Sequence, residues 1–232
     1  MFRRTKLIVL LFSLFFNLFF VNSLKSKETP VIVISPGKSV QSLSTVGSTV
    51  TVIEGETIRN SVSSSLAEII SNESTSTNMF QMGGDGGNTG IQLRGLEKRY
   101  STVYIDGVKM LDPSSSDGSF YMENIMKNSI DRVEILKGTQ SSLYGSNAIG
   151  GTIHIFTKKG REGNHSNVEV STGTDKTRNV NLSLDGANEK YSYYIGVNKF
   201  LTDGISAMTD NTEKDEYKNN GIVGNFSYNL ND

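Results

Sequence analysis

The 232-residue sequence contains no cysteine and no tryptophan, and only three prolines and two histidines. Without cysteine there is no disulfide framework, no thiolate metal site and no cysteine nucleophile. The formal charge is -1, which excludes the basic surplus that a nucleic-acid partner would call for and also an acidic tail. After the N-terminus no apolar run approaches the ~18 residues of a membrane-spanning helix. His154 falls in a strand-like run and His165 in a polar linker, and neither has a spaced partner for metal ligation or base catalysis. No catalytic residue, metal ligand or cofactor is therefore assigned. The acidic stretch from Asp203 to Glu216 offers hard oxygen ligands but not the spacing of a calcium loop, and it reads as a solvated segment.

The N-terminus is basic and then apolar. Arg3, Arg4 and Lys6 precede the run Leu7 to Val21, which Ser13 and Asn17 interrupt, and Val21-Asn22-Ser23 supplies small residues for cleavage. This predicts an export signal over 1–23. Residues 24–47 lack helical periodicity and enclose one extended apolar core, Pro30-Val31-Ile32-Val33-Ile34, which predicts a flexible arm carrying a strand-like peptide.

Residues 48–160 predict a compact α+β domain. Thr49 to Ile53 reads as a strand, and Ile58, Val62, Leu66, Ile69 and Ile70 recur at helical spacing. Further strands are predicted at 90–94, 101–105, 132–136 and 152–157, with Asp106-Gly107 marking a tight hairpin turn into Val108. The stretch Ser141 to Lys159, SSLYGSNAIGGTIHIFTKK, places glycines immediately before a β-rich run. Glycine weakens a strand or its approach unless a bend or another backbone needs a position without a Cβ, so close packing is predicted there.

Beyond residue 160 apolar residues alternate with Asn, Ser, Asp and Gly. Strands are predicted at about 167–173, 179–185, 191–201 and 222–230. The alternation fits lipid-facing strands of an outer-membrane barrel and, on pattern alone, equally a soluble antiparallel sheet.

Three segments then carry a resemblance: TVIEGETIRNSVSSSLAEII, IQLRGLEKRYSTVYIDGVKMLDPSS and IDRVEILKGTQSSLYGSNAIGGTIHIFTKKG. In this order and at these spacings the region 48–160 resembles the plug domain of TonB-dependent outer-membrane receptors, most of all those for cobalamin and siderophores. The resemblance implies a fold in which an α+β plug is followed by the first antiparallel strands of a truncated transmembrane β-barrel, over 161–232. It implies an active importer of a scarce chelate or cofactor, not an enzyme, in the outer membrane of a Gram-negative bacterium. The implied partners are a TonB-type energy-transducing protein, a small chelate ligand and outer-membrane lipid, with no nucleic acid.

The resemblance assigns Thr29, Pro30, Val31, Ile32 and Val33 to an energy-coupling peptide that adds itself to a partner's sheet edge. Arg94 and Lys137 resemble paired basic sites that in relatives face carboxylates on the barrel wall, although Lys137 stands where arginine is usual and lacks its fork of donors. Ligand contact is expected from two outward loops of the plug, through Phe80, Gln81, Met82, Asp85 and Asn88 in the first and Leu111, Asp112 and Ser114 in the second. Four strands cannot close a barrel around a plug, so the chain is expected to be one part of a longer protein. With the plug ending on the periplasmic side, the short connection 186–190 is expected to face the periplasm and the long one, 202–221, the exterior. The alternative is a periplasmic or surface ligand-binding module that does not transport.

Overall fold

In the computed structural model, residues 32–33, 35–206, 208–210 and 212–230 are described. Two short strands come first, β1 (Ile32–Val33) and β2 (Gln41–Ser42), paired antiparallel. Then follow β3 (Thr49–Glu54), α1 (Gly55–Asn60), α2 (Leu66–Glu73), β4 (Thr77–Gln81), β5 (Thr89–Leu93), β6 (Ser101–Ile105), β7 (Val108–Lys109), β8 (Ile130–Lys137), α3 (Ser141–Tyr144) and β9 (Gly151–Thr157). A meander of four longer strands completes the chain: β10 (Gly163–Thr172), β11 (Arg178–Ala187), β12 (Tyr191–Thr202) and β13 (Tyr217–Tyr228).

The five-stranded sheet β3-β8-β9-β6-β7 is mixed, its one parallel pair being β6 with β9. Its apolar residues Val103, Val133, Ile135, Ile153 and Ile155 meet Ile58 of α1 and Leu66, Ile69 and Ile70 of α2, all at most 3% exposed. Asp106 and Gly107, both at positive φ, make the two-residue turn that pairs Ile105 with Val108, as the Asp-Gly dipeptide predicts.

The helical periodicity predicted from Ile58 to Ile70 is broken in the structure. The segment 61–65 separates α1 from α2, and Val62 is fully solvent-exposed. Four of those five residues are serine, whose side chains compete for backbone hydrogen bonds and favour breaks over continuous helix. Ser63 Oγ illustrates this by accepting from the Ser65 amide at 3.1 Å.

The crowding predicted before β9 is centred on Gly151. Its φ is +144°, and a Cβ there would lie 2.1 Å from the Leu136 carbonyl oxygen of β8. A side chain cannot occupy that position while β8 and β9 stay in register.

The four-stranded sheet has two chemically opposite faces. Val168, Leu182, Val197 and Ile222 lie side by side across all four strands on one face, with Val170, Val180, Leu184 and Ile195 beside them, and every one is exposed. Tyr193 pairs with Phe226 and Tyr191 with Tyr228 at one end of the same face. The other face carries Asn179, Asn181, Asp185, Tyr194, Phe200 and Thr202, all buried. It lies against the α+β domain: the Tyr194 hydroxyl donates to the Asn128 carbonyl at 3.2 Å, and the Tyr217 hydroxyl is 2.9 Å from Asn124 Oδ1. Polar residues are inside and apolar residues outside, the reverse of a soluble sheet packed on a core.

The fourth strand begins at Tyr217, five residues before the sequence-based start at 222. Its first part, Tyr217-Lys218-Asn219-Asn220-Gly221, is mostly polar on both faces, so hydrophobic alternation gives no signal for it.

Candidate functional site

The first candidate ligand loop is the tip of a β-hairpin. Met79 to Gln81 are in β4 and Thr89 pairs with Gln81, so the glycine-rich loop predicted over 79–90 shortens to 82–88. The strand alternation sends Met79 into the core and leaves Phe80 45% exposed, followed by Met82 at 61%. The Gln81 side-chain amide donates to the Gly84 carbonyl at 2.7 Å and so folds the tip back on itself. Asp85 and Asn88 are exposed on that tip. The Asp85 carboxyl is raised above its usual range, first by surrounding protein and second by Glu68. Gly86, at φ +81°, presses on the Tyr217 ring so closely that a Cβ would lie 2.2 Å from it.

In the second loop Leu111 is 55% exposed, and the Asp112 carboxylate accepts from the Ser114 amide at 2.8 Å and hydroxyl at 2.7 Å. These two bonds hold the Asp112 pKa below the ordinary carboxylate value. Nearby, Asp117 accepts from Ser115, Ser119 and Lys98, giving the loop a rigid acidic base.

Arg94 and Lys137 are neighbours with different surroundings. Lys137 is buried and donates to the Thr75 carbonyl at 2.5 Å, and its amine is held below the usual lysine range by burial and by Arg94. Arg94 is exposed at φ +57°, its guanidinium within 3.2 Å of where a Cβ on Gly138 would sit. Among the described residues no carboxylate forms an ion pair with either; Lys137 is bound to Thr75 and Arg94 lies beside Gly138.

Thr29, Pro30 and Val31 of the predicted coupling peptide lie outside the described residues, whereas Ile32 and Val33 form β1. The segment after them is fixed to the plug. Val33 is fully buried, and Ser35 gives its amide (2.9 Å) and hydroxyl (2.6 Å) to Glu134 Oε2, while the Tyr144 hydroxyl donates to the Ser35 carbonyl. Arg132 Nε binds the other Glu134 oxygen at 3.0 Å. Around this point His154 stacks on Tyr104 at 4.8 Å and meets Tyr144 edge-on at 4.8 Å, and the Lys38 ammonium lies 5.0 Å from the centre of the Tyr144 ring. Burial pushes the His154 pKa down to about 4 and is the first cause lifting Tyr144 to about 12. This aromatic and ionic hub beneath the arm had no sequence signal, because its members are scattered over more than a hundred positions.

Between the plug and the four-stranded sheet is a cavity of about 210 Å³ lined by Asn128, Lys158, Asn181, Tyr194 and Asn198 among others. Its lining is largely polar, and the buried Asn181 nitrogen and oxygen both lack protein partners among the described residues.

The sequence profile of the TonB-dependent receptor plug domain matches residues 42–152. Residues 42–152 form a TonB-dependent receptor plug domain. The plug and the strands after it are together similar to larger proteins. The vitamin B12 transporter BtuB of Vibrio vulnificus is 25% identical over 185 residues, 80% of this chain and 30% of that protein. An iron-regulated outer membrane virulence protein of Vibrio cholerae is 30% identical over 140 residues, 57% of this chain and 20% of its own length. Among solved structures, the ferripyoverdine receptor of the outer membrane of Pseudomonas aeruginosa overlays with a TM-score of 0.71 at 17% identity, covering 88% of this chain and 26% of the receptor. The siderophore receptor PirA from Acinetobacter baumannii gives 0.63 at 21% identity, covering 79% and 29%. The chain thus spans about a third or less of the length of these proteins. The plug with the first antiparallel strands of a partial barrel is the fold expected from the sequence.

Proposed function

We propose that this chain is the plug and opening barrel strands of an active outer-membrane importer for a scarce chelate or cofactor of the cobalamin or ferric-siderophore kind. The observation that carries this reading is the inverted polarity of the β10–β13 sheet: an apolar outer face, a polar inner face, and the plug domain seated on the latter. Strands of 10 to 12 residues, tilted, are long enough to cross a bilayer's hydrocarbon core. Ligand would contact the plug at the two outward loops, with Phe80 and Met82 supplying apolar surface and Gln81, Asp85, Asn88, Leu111, Asp112 and Ser114 around them. A TonB-type partner, anchored in the inner membrane, would grip the arm around Thr29 to Val33 by adding a strand, and pulling on the arm would load Ser35 and the Glu134 hub behind it.

The test uses cells producing the protein and radiolabelled vitamin B12 and ferric siderophores as probes. Val31→Pro and Ile32→Pro remove ladder donors without touching the outer loops, and they are expected to abolish uptake of the transported probe while its binding to the cells persists. Undiminished uptake with both substitutions combined would rule out this segment as the coupling strand.

A further inference from the structure

The apolar face of the four-stranded sheet ends in a cluster of cations at the edge away from the plug-to-sheet junction. Strand register places Arg178 of β11 opposite Leu201 of β12, and Leu201 opposite Lys218 of β13. One step nearer the apolar band, Val180, Lys199 and Asn220 lie in a row. Arg178, Lys199 and Lys218 therefore share the outward face, all exposed, each diagonal to the next at about 7–8 Å. We propose that this cluster is a binding site for the phosphate groups of membrane lipid, the lipid's acyl chains lying along Val180, Leu182, Val197 and Ile222 below it.

Three observations support it. Like charges this close on one sheet face repel, and an anion between them removes that cost. Carboxylates answer them weakly: among the described residues Arg178 and Lys199 form no ion pair, the Asp203 carboxylate that Arg178 feels at longer range is bound by Lys176 at 2.8 Å, and Lys218 has Glu216, at 2.8 Å with both side chains more than half exposed, a contact of little strength. The other cations of this end are differently employed, Lys176 on Asp203 (2.8 Å) and Lys214 on Asp175 (3.3 Å), pinning the long 203–216 connection to the 173–177 turn. The position also fits a bilayer. From the Tyr191 and Tyr228 end to Lys199 is eight residues of strand, about 26 Å along the chain and about 20 Å along the membrane normal at a 40° tilt. The backbone there lies near the far edge of the ~25 Å apolar band of such a barrel, and the long Lys and Arg side chains reach from it to the phosphate level, where the Arg178 fork can bind a phosphate through two donors.

This inference rests on the outer-membrane reading, and the experiment separates the two. The purified full-length importer, of which this chain is read as the plug and opening strands, is assembled into phosphatidylcholine nanodiscs containing phosphatidic acid, and retention of phosphatidic acid is read by native mass spectrometry. Arg178→Gln, Lys199→Gln and Lys218→Gln together are expected to weaken retention roughly a hundredfold, and Lys199→Gln alone about fivefold, whereas Lys176→Gln with Lys214→Gln changes nothing. Lys199→Arg with Lys218→Arg keeps retention within about twofold, which guards against a triple variant that fails to fold. Inserted protein whose phosphatidic acid retention is the same with and without the three cations would overturn the site and leave the importer reading intact. Displacement of the lipid by millimolar inorganic phosphate would overturn the assignment to lipid. Failure of the unmodified protein to enter nanodiscs at all would overturn both.

Discussion

His154 is neutral because it is enclosed. Its ring stacks on Tyr104 and meets Tyr144 edge-on, its Nε2 is 2.9 Å from Thr152 Oγ1, and the charges facing it are Glu134, which favours protonation, and Lys38, which opposes it. Burial outweighs both and sets the folded pKa near 4, against 6.5 for the free side chain. Between those values the unfolded chain binds more protons than the folded one, so stability is complete above about pH 6.5 and falls as pH drops towards 4. The full loss corresponds to about 3 kcal/mol. Amide exchange at Thr152 to Ile155, corrected for intrinsic rates, should therefore accelerate as pH falls from 6.5 to 4, and His154→Phe should flatten that acid limb. An unchanged slope in the variant would mean that other groups govern it. The consequence reaches the arm, since Tyr144 in the same stack holds the Ser35 carbonyl. None of this was legible in the sequence, where His154 reads only as a strand residue. A hub joining positions 35, 104, 132, 134, 144 and 154 is made by the topology β3-β8-β9-β6, which lays strands distant in sequence next to one another.

At the scale of elements, legibility follows the strength of the hydrophobic period. The core strands of the plug and the first three strands of the meander were readable because their apolar residues alternate, and β6–β7 because Asp-Gly fixes its turn. Val62 misled because an apolar residue at helical spacing carries no information about the serines around it. The start of β13 was invisible for the reason that also makes it interesting: Lys218 and Asn220 face outward while Tyr217 and Asn219 face the plug. Tyr217 supports the tip of the β4–β5 hairpin. Its ring fills the space a Gly86 side chain would need, and its hydroxyl reaches Asn124. Gly86→Ala should cost about 1–3 kcal/mol, combining a left-handed backbone with the clash. Adding Tyr217→Ala should return part of that loss and leave about 1 kcal/mol for the backbone alone. Thermal unfolding of the four proteins of this cycle measures the coupling, and strictly additive losses would show that hairpin tip and barrel strand do not bear on each other.

At the scale of the whole molecule, the direction of each strand is set by where the plug hands over to the sheet. The chain leaves the plug at Lys158, whose ammonium is bound to the Asn128 carbonyl at 2.7 Å, and Arg161 is held by both oxygens of Asp185 before β10 begins. If that junction is periplasmic, β10 and β12 run outward and β11 and β13 return. The β11–β12 connection is then a tight turn in which Asn188 Oδ1 accepts from the amides of Lys190 and Tyr191, both at 2.9 Å, and it faces the periplasm. The β12–β13 connection, Asp203 to Glu216, is long and charged, and it faces the exterior, where barrels of this kind place their long loops. Its Ile205 approaches Gly84 at the tip of the β4–β5 hairpin, within 3.7 Å of where a Cβ would be. This chain has no cysteine, so single reporters can be introduced without background from its own residues. Thr212→Cys should react with an impermeant thiol reagent on intact cells, and Asn188→Cys should react only after the outer membrane is opened. The reverse pattern would invert the strand directions, set the cationic rim of Arg178, Lys199 and Lys218 on the periplasmic side, and remove the support that topology gives to import.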